Sequence, residues 1–189
     1  QLFDQGLALQ QRLAVQGRVI TLAFNLHPAQ LACTGLAERI AVLLKQSQVP
    51  AVSVMFEIPE VGVVSAPASS LENLVRLRML GCGLSMDDFG AGYSSLDRLS
   101  ELPFSEIKLD RAFIRKIQSQ PKSAAIISCS VALARALGVS LVIEGVETTE
   151  QQVRLIELGA TLAQGFLFAR PMPEAHFIDF CTVQAGWDR

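Results

Sequence analysis

Apolar residues recur at helical spacing over 2–15 (Leu2, Leu7, Leu9, Leu13), and the pattern stops near Gly17. A short run of strand-like composition follows over 19–24 and is closed by Asn25. The same pairing returns down the chain. Helical patterns are predicted over 31–45, 69–80, 96–102, 111–117, 123–137, 149–158 and 174–181. Strands are predicted over 51–56, 83–86, 107–110, 140–143 and, more weakly, 161–163. Glycines or prolines punctuate the changes, as at Gly81, Pro103, Gly138 and Gly159.

Strand and helix alternate six times, which predicts a parallel sheet covered by helices. An open doubly wound sheet and a closed eight-stranded barrel both fit that order. No strand-to-helix loop carries GxGxxG or GxxxxGK[ST], which counts against a nucleotide-binding open sheet. All six predicted strands end in polar or charged residues: Asn25, Glu57, Asp87 with Asp88, Lys108 with Asp110, Glu144 and Gln164. Parallel strands gather such ends on one face, where barrels place their chemistry. A (β/α)8 TIM-type barrel is therefore expected, with six strand–helix units in this chain and two strands upstream of residue 1.

The 189 residues are 50% hydrophobic and 18% charged, which suits one globular domain over 1–189 with a sizeable core. A net charge of −2 supplies no basic field for a nucleic-acid polymer. No apolar run approaches the ~20 residues of a membrane span. The four cysteines lack CxxC spacing and are expected to be reduced, mostly buried thiols of a cytoplasmic protein. Residue 1 is Gln and falls inside a helical pattern, so the domain is expected to be N-terminally incomplete.

Glu57, Asp87, Asp88 and Glu144 bring four carboxylates to one face without an arginine partner. Adjacent carboxylates cannot both sit dry and unpaired. Divalent cations with hard oxygen ligands relieve that conflict, and a pair of ions roughly 3.5–4 Å apart serves in-line displacement at phosphorus. Lys108, at the end of the next strand and beside rather than within the cluster, would orient or deprotonate an attacking water, the latter only with a lowered pKa. Plainer readings stand beside these. Asp87-Asp88 makes a solvated turn stopped by glycine, Lys108 pairs with Asp110 or Glu106, and Glu144 caps the turn at Gly145. The two histidines, His27 and His176, are too few and too far apart for a His-based metal site or a triad. Asp88-Phe89-Gly90 has no kinase HRD or glycine-rich loop to accompany it.

Six pieces in order carry a resemblance: Phe24-Asn25-Leu26, Phe56-Glu57-Ile58-Pro59-Glu60, the ten residues from Asp87 to Leu96 (DDFGAGYSSL), Ile107-Lys108-Leu109-Asp110-Arg111, Glu144-Gly145-Val146-Glu147-Thr148 and Gln164-Gly165-Phe166-Leu167-Phe168. The chain resembles the EAL domain family of cyclic di-GMP phosphodiesterases. The resemblance implies metal ligation by Asn25, Glu57, Asp87, Asp88 and Glu144, with two Mg²⁺ or Mn²⁺ ions. It gives Lys108 the attacking water, Gln164 and Asp110 a place on the substrate side, and Glu60 and Glu147 the role of supporting carboxylates. Residues 89–95 would form a substrate-side lid and part of a homodimer contact. The implied reaction converts cyclic di-GMP to linear pGpG. A regulatory or sensory domain is expected on the same longer chain, which would be cytoplasmic or the cytoplasmic part of a membrane-attached protein.

The sequence departs from the family pattern in places. The glutamate of the E-A-L signature has no counterpart here and is expected upstream. Pro59 stands in place of the usual Thr, His27 of Ser, Phe166 of a frequent Tyr, and Ile143 of the usual Ala. Pro59 removes an N–H beside Glu57 and would reshape the loop that Glu60 supports. A second function is therefore kept: a cyclic di-GMP receptor that binds without hydrolysis.

Overall fold

The structure, a computed structural model, describes residues 1–64, 67–91 and 96–183. Six strands form one sheet in sequence order: β1 (Leu22–Asn25), β2 (Val54–Pro59), β3 (Gly83–Phe89), β4 (Glu106–Leu109), β5 (Ser140–Glu144) and β6 (Leu162–Gln164). Every neighbouring pair is parallel. The helices are α1 (Leu2–Val15), α2 (Pro28–Leu31), α3 (Leu36–Ser47), α4 (Glu60–Val64), α5 (Ala68–Met79), α6 (Leu96–Glu101), α7 (Arg111–Arg115), α8 (Pro121–Leu137), α9 (Thr149–Glu157) and α10 (Glu174–Val183). The sheet curls: residues from β1, β2, β4, β5 and β6 all line one cleft on its inner side. This is the α/β half-barrel that the strand–helix alternation predicts.

Alternation along the strands separates the two faces. Val54, Phe56 and Ile58 of β2, Leu84 and Met86 of β3, and Ile107 and Leu109 of β4 are buried on the helix side. They meet apolar helix stripes such as Leu74 and Leu77 of α5 and Ile127, Val131 and Ala134 of α8. Phe3 of α1 packs edge-on to Phe24 at 4.9 Å and stacks near Phe56 at 5.8 Å. Gly6 permits that approach, because a Cβ there would meet Phe24 Cζ at 2.5 Å.

Five expectations from the sequence need correction. The strand predicted over 19–24 begins only at Leu22, and the one over 51–56 shifts to Val54–Pro59. Ala51–Ser53 forms a single 3₁₀ turn after Pro50 instead. The helix predicted over 31–45 is two helices, broken at 32–35, where Gly35 takes φ +77°. The buried Asn73 holds that break, donating through Nδ2 to the carbonyls of Leu31 (2.8 Å) and Cys33 (2.9 Å). The cysteines are not mostly buried: Cys82 is, Cys33 and Cys129 are exposed, and Cys181 lies between. Burial pushes the Cys82 thiol up to about 11 against the lowering charge of Arg78.

The most informative correction is in β3. This strand does not stop at Met86 but runs through both aspartates to Phe89. Its pairing with β4 slips there: Met86 faces Ile107 and Phe89 faces Leu109, so β3 spends one extra residue over the same stretch. Asp88 absorbs the surplus with φ +55°, a left-handed conformation that costs a non-glycine residue about 1–2 kcal/mol. Residues 92–95, where most of the expected lid and dimer contact falls, lie outside the described residues.

Candidate active site

Because the strands are parallel, their C-terminal ends bring Asn25, Glu57, Asp87, Lys108, Glu144 and Gln164 to one end of the sheet. Asn25 sits beside Glu57 in register, and Glu144 beside Gln164. Regular alternation would point Asp87 and Asp88 to opposite faces. The bulge removes that opposition, and oxygens of Asp87, Asp88 and Glu144 lie within 4.8 Å of one another.

Lys108 enters the middle of this group rather than lying beside it. It is 4% exposed, and its Nζ is 2.6 Å from Glu144, 2.9 Å from Glu57 and 3.5 Å from Asp87. It makes no ion pair with Asp110 or Glu106, so the plain reading of a surface pair does not hold. Burial pulls the Lys108 pKa down. The hydrogen bonds to Glu144 and Glu57, with the charges behind them, outweigh that and hold it above the ordinary lysine value. In this arrangement the ammonium is held by Glu144 and Glu57.

A single cation does not satisfy so many anions. Burial raises the Glu144 pKa, and the charges of Asp87 and Glu57 add to the rise against the opposing pull of Lys108. Asp88 is also raised, by desolvation first and then by the charges of Asp87 and Asp110. Asp87 Oδ1 is buried and accepts no hydrogen bond of proper geometry among the described residues. Oxygen donors, surplus negative charge and a buried oxygen approached by Lys108 only at 3.5 Å together fit a hard divalent cation.

Supporting contacts fix the rim. Pro59 ends β2 opposite Asp87, a position that needs no further N–H from it. Glu60, 4% exposed, then opens α4 and accepts a hydrogen bond from Gly90 N at 3.2 Å. Replacement of Thr by Pro thus leaves the Glu60 contact in place. Asp110 caps α7 by accepting from Ala112 N at 2.7 Å, and its charge helps raise the Asp88 pKa. Gly165 lets the chain after β6 press on Val146, where a Cβ would meet the Val146 carbonyl oxygen at 2.1 Å. Val146 in turn donates to Gln164 O and accepts from Leu167 N, each at 3.0 Å. Glu147 is exposed, ahead of α9, and its backbone N–H is held by Gln151.

The cleft on the inner side of the sheet has a volume of about 300 Å³ and is lined by Glu57, Glu106, Lys108 and Gln164 among others. A larger groove of about 750 Å³ beside α9 is lined by Ile117, Pro121, Ala124 and Val153. It lies away from the strand ends, and size alone gives it no claim on the chemistry. Glu106 was not singled out in the sequence beyond a surface pairing. Its position two residues before Lys108 on the same strand is the signal that would have found it.

Known proteins share this arrangement of elements. Over 182 residues the chain is 66% identical to the cyclic di-GMP phosphodiesterase RocR of Pseudomonas aeruginosa, a match covering 96% of this chain and 46% of RocR. It thus spans less than half the length of that relative. Among solved structures, the PaMucR phosphodiesterase in complex with c-di-GMP superposes with a TM-score of 0.84 at 39% identity, over 92% of this chain and 71% of that one. A manganese and cyclic di-GMP complex of Klebsiella pneumoniae BlrP1 gives 0.83 at 33%, over 90% and 43%. The family model of the EAL domain matches residues 1–171, and the chain belongs to the EAL domain family.

Proposed function

We propose that this chain hydrolyses one phosphodiester bond of cyclic di-GMP to linear pGpG, with divalent cations held by Asp87, Asp88, Glu144, Glu57 and Asn25. The observation that carries the reading is the buried Lys108 ammonium set among carboxylates at the C-terminal strand ends, where its approach to the buried Asp87 Oδ1 is a long 3.5 Å. The 66% identity to a cyclic di-GMP phosphodiesterase supports the same substrate, and a relative solved with manganese and the dinucleotide supports divalent metal use.

Bound Mg²⁺ or Mn²⁺ would polarise the phosphoryl oxygens and lower the pKa of a coordinated water. The protein's own groups do the rest. Lys108, held protonated, donates to the attacking water and to the charge that builds on phosphorus. The water oxygen forms the new bond to phosphorus as the bond to O3′ breaks; a carboxylate of the cluster takes a proton from the water, and solvent returns one to the departing O3′, which leaves as a hydroxyl. Gln164 and Asp110 face the substrate side, and Glu60 holds the chain at Gly90 beside the aspartates.

The test is to incubate the protein with cyclic di-GMP in Mg²⁺ and in Mn²⁺ and separate the products by chromatography. We expect pGpG from the wild type, and a loss of at least about 10²-fold in Asp87→Asn. Tight binding of cyclic di-GMP with no pGpG in either ion would replace the enzyme with the receptor reading.

A further inference from the structure

Glu106 and Lys108 stand two residues apart on β4, so their side chains leave the strand on the same inner face. Both line the cleft that holds Glu57 and Gln164. Lys108 points toward the rim and engages Glu144, Glu57 and Asp87. Glu106 lies below it, beside the Ser85 hydroxyl across the β3–β4 pair, and forms no ion pair with the lysine in this arrangement. Half-buried, Glu106 has its pKa raised by burial against the lowering effects of the Ser85 hydroxyl and the Lys108 charge.

Two of the carboxylates that Lys108 occupies, Asp87 and Glu144, belong to the group suited to a cation. The ammonium and a divalent ion therefore compete for the same oxygens. When a cation enters, the lysine must give up at least part of its contact with Glu144 and Asp87. A displaced, buried ammonium needs another counter-charge, and Glu106 supplies one within reach of the flexible lysine stem.

We propose that Lys108 is the resident counter-ion of the metal-free carboxylate cluster, and that Glu106 is the inner carboxylate that takes up one of its N–H bonds as a divalent cation loads, another staying free for the attacking water. This rests on the metal-site reading above. It makes Glu106 a positioning residue, one that acts on the cluster only through Lys108.

The test is a double-mutant cycle on cation affinity, read by calorimetry with Mn²⁺ alone on wild type, Lys108→Met, Glu106→Gln and the double variant, with melting temperatures in chelator beside it. Lys108→Met should bind Mn²⁺ about tenfold more tightly, because the competitor is gone, and should melt lower in chelator, because the carboxylates then repel. Glu106→Gln should bind Mn²⁺ several-fold more weakly with little loss of metal-free stability, as the amide keeps the shape of the acid. In the double variant the Glu106→Gln effect should vanish. An equal weakening by Glu106→Gln with and without Lys108 would overturn the relay, and unchanged or weaker Mn²⁺ binding by Lys108→Met would overturn the counter-ion role. A wild type that binds no Mn²⁺ would instead overturn the metal-site reading on which both depend.

Discussion

Glu60 reaches across from the end of β2 and accepts the backbone N–H of Gly90, one residue after β3 ends. The carboxylate is almost wholly buried, and Gly90 follows the bulge that aims Asp87 and Asp88. A hydrogen bond to a charged acceptor contributes about 1.5–3 kcal/mol. Glu60→Ala should therefore speed hydrogen exchange at the Gly90 amide by about tenfold or more. Turnover should fall with it, while cation affinity changes less. Unaltered exchange at Gly90 would show that the contact does not hold this loop in solution.

The raised carboxylates set a pH dependence for the metal-free protein. Asp88 and Glu144 bind protons more tightly folded than unfolded. Stability in chelator should then fall as pH rises from the ordinary carboxylate pKa through their raised folded values. Lys108 adds a second fall of the same sign at the alkaline end. Its raised pKa gives a contribution fully present below the unfolded lysine value and lost only as pH passes the folded one. Saturating Mn²⁺ should flatten the acid-side trend, since the cation offsets the charges that cause it. Melting temperatures across pH 4 to 8, with chelator and with Mn²⁺, check this. A metal-free protein that gains stability across that window would contradict the assignment.

Lys108→Ala should lower the rate of pGpG release by roughly 10²–10⁴-fold, the scale of a group acting in proton transfer or charge stabilisation. Substrate affinity, measured in Ca²⁺ to suppress turnover, should change far less. Wild-type turnover in the variant would remove Lys108 from the chemical step.

Much of this was legible before any coordinates. Polar strand ends, six alternations and the Asp87-Asp88 pair place the chemistry on one rim by elementary geometry. Three features were not legible, and each depends on a distant partner. The helix break at 32–35 leaves carbonyls that Asn73, forty residues away, reaches through its Nδ2. The central placement of Lys108 follows from the curl of the sheet, which periodicity along one strand does not encode. The bulge shows only when β3 is set against β4.

Asn73→Ala offers a direct check on the first of these. It removes the donor from the buried Leu31 carbonyl, at a cost of about 1–3 kcal/mol, while the Cys33 carbonyl keeps the Leu36 N–H at 3.3 Å. The melting temperature should drop by several degrees while the cation affinity of the folded protein holds. A neutral result would mean that water replaces the amide at the break.

A strand that alternates strictly offers its inner face one side chain for every two residues. The surplus residue in β3 changes that parity, so Asp87 and Asp88 both serve the rim while Phe89 returns to the buried wall. Loss of a single codon between Met86 and Phe89 would restore alternation, keep the sheet's pairing and take one acidic group away from the cluster. In lineage terms, the step between a cation-binding rim and a mute one is one codon wide. An otherwise intact barrel with that codon missing would carry the history of a lost enzyme in the spacing of β3 alone.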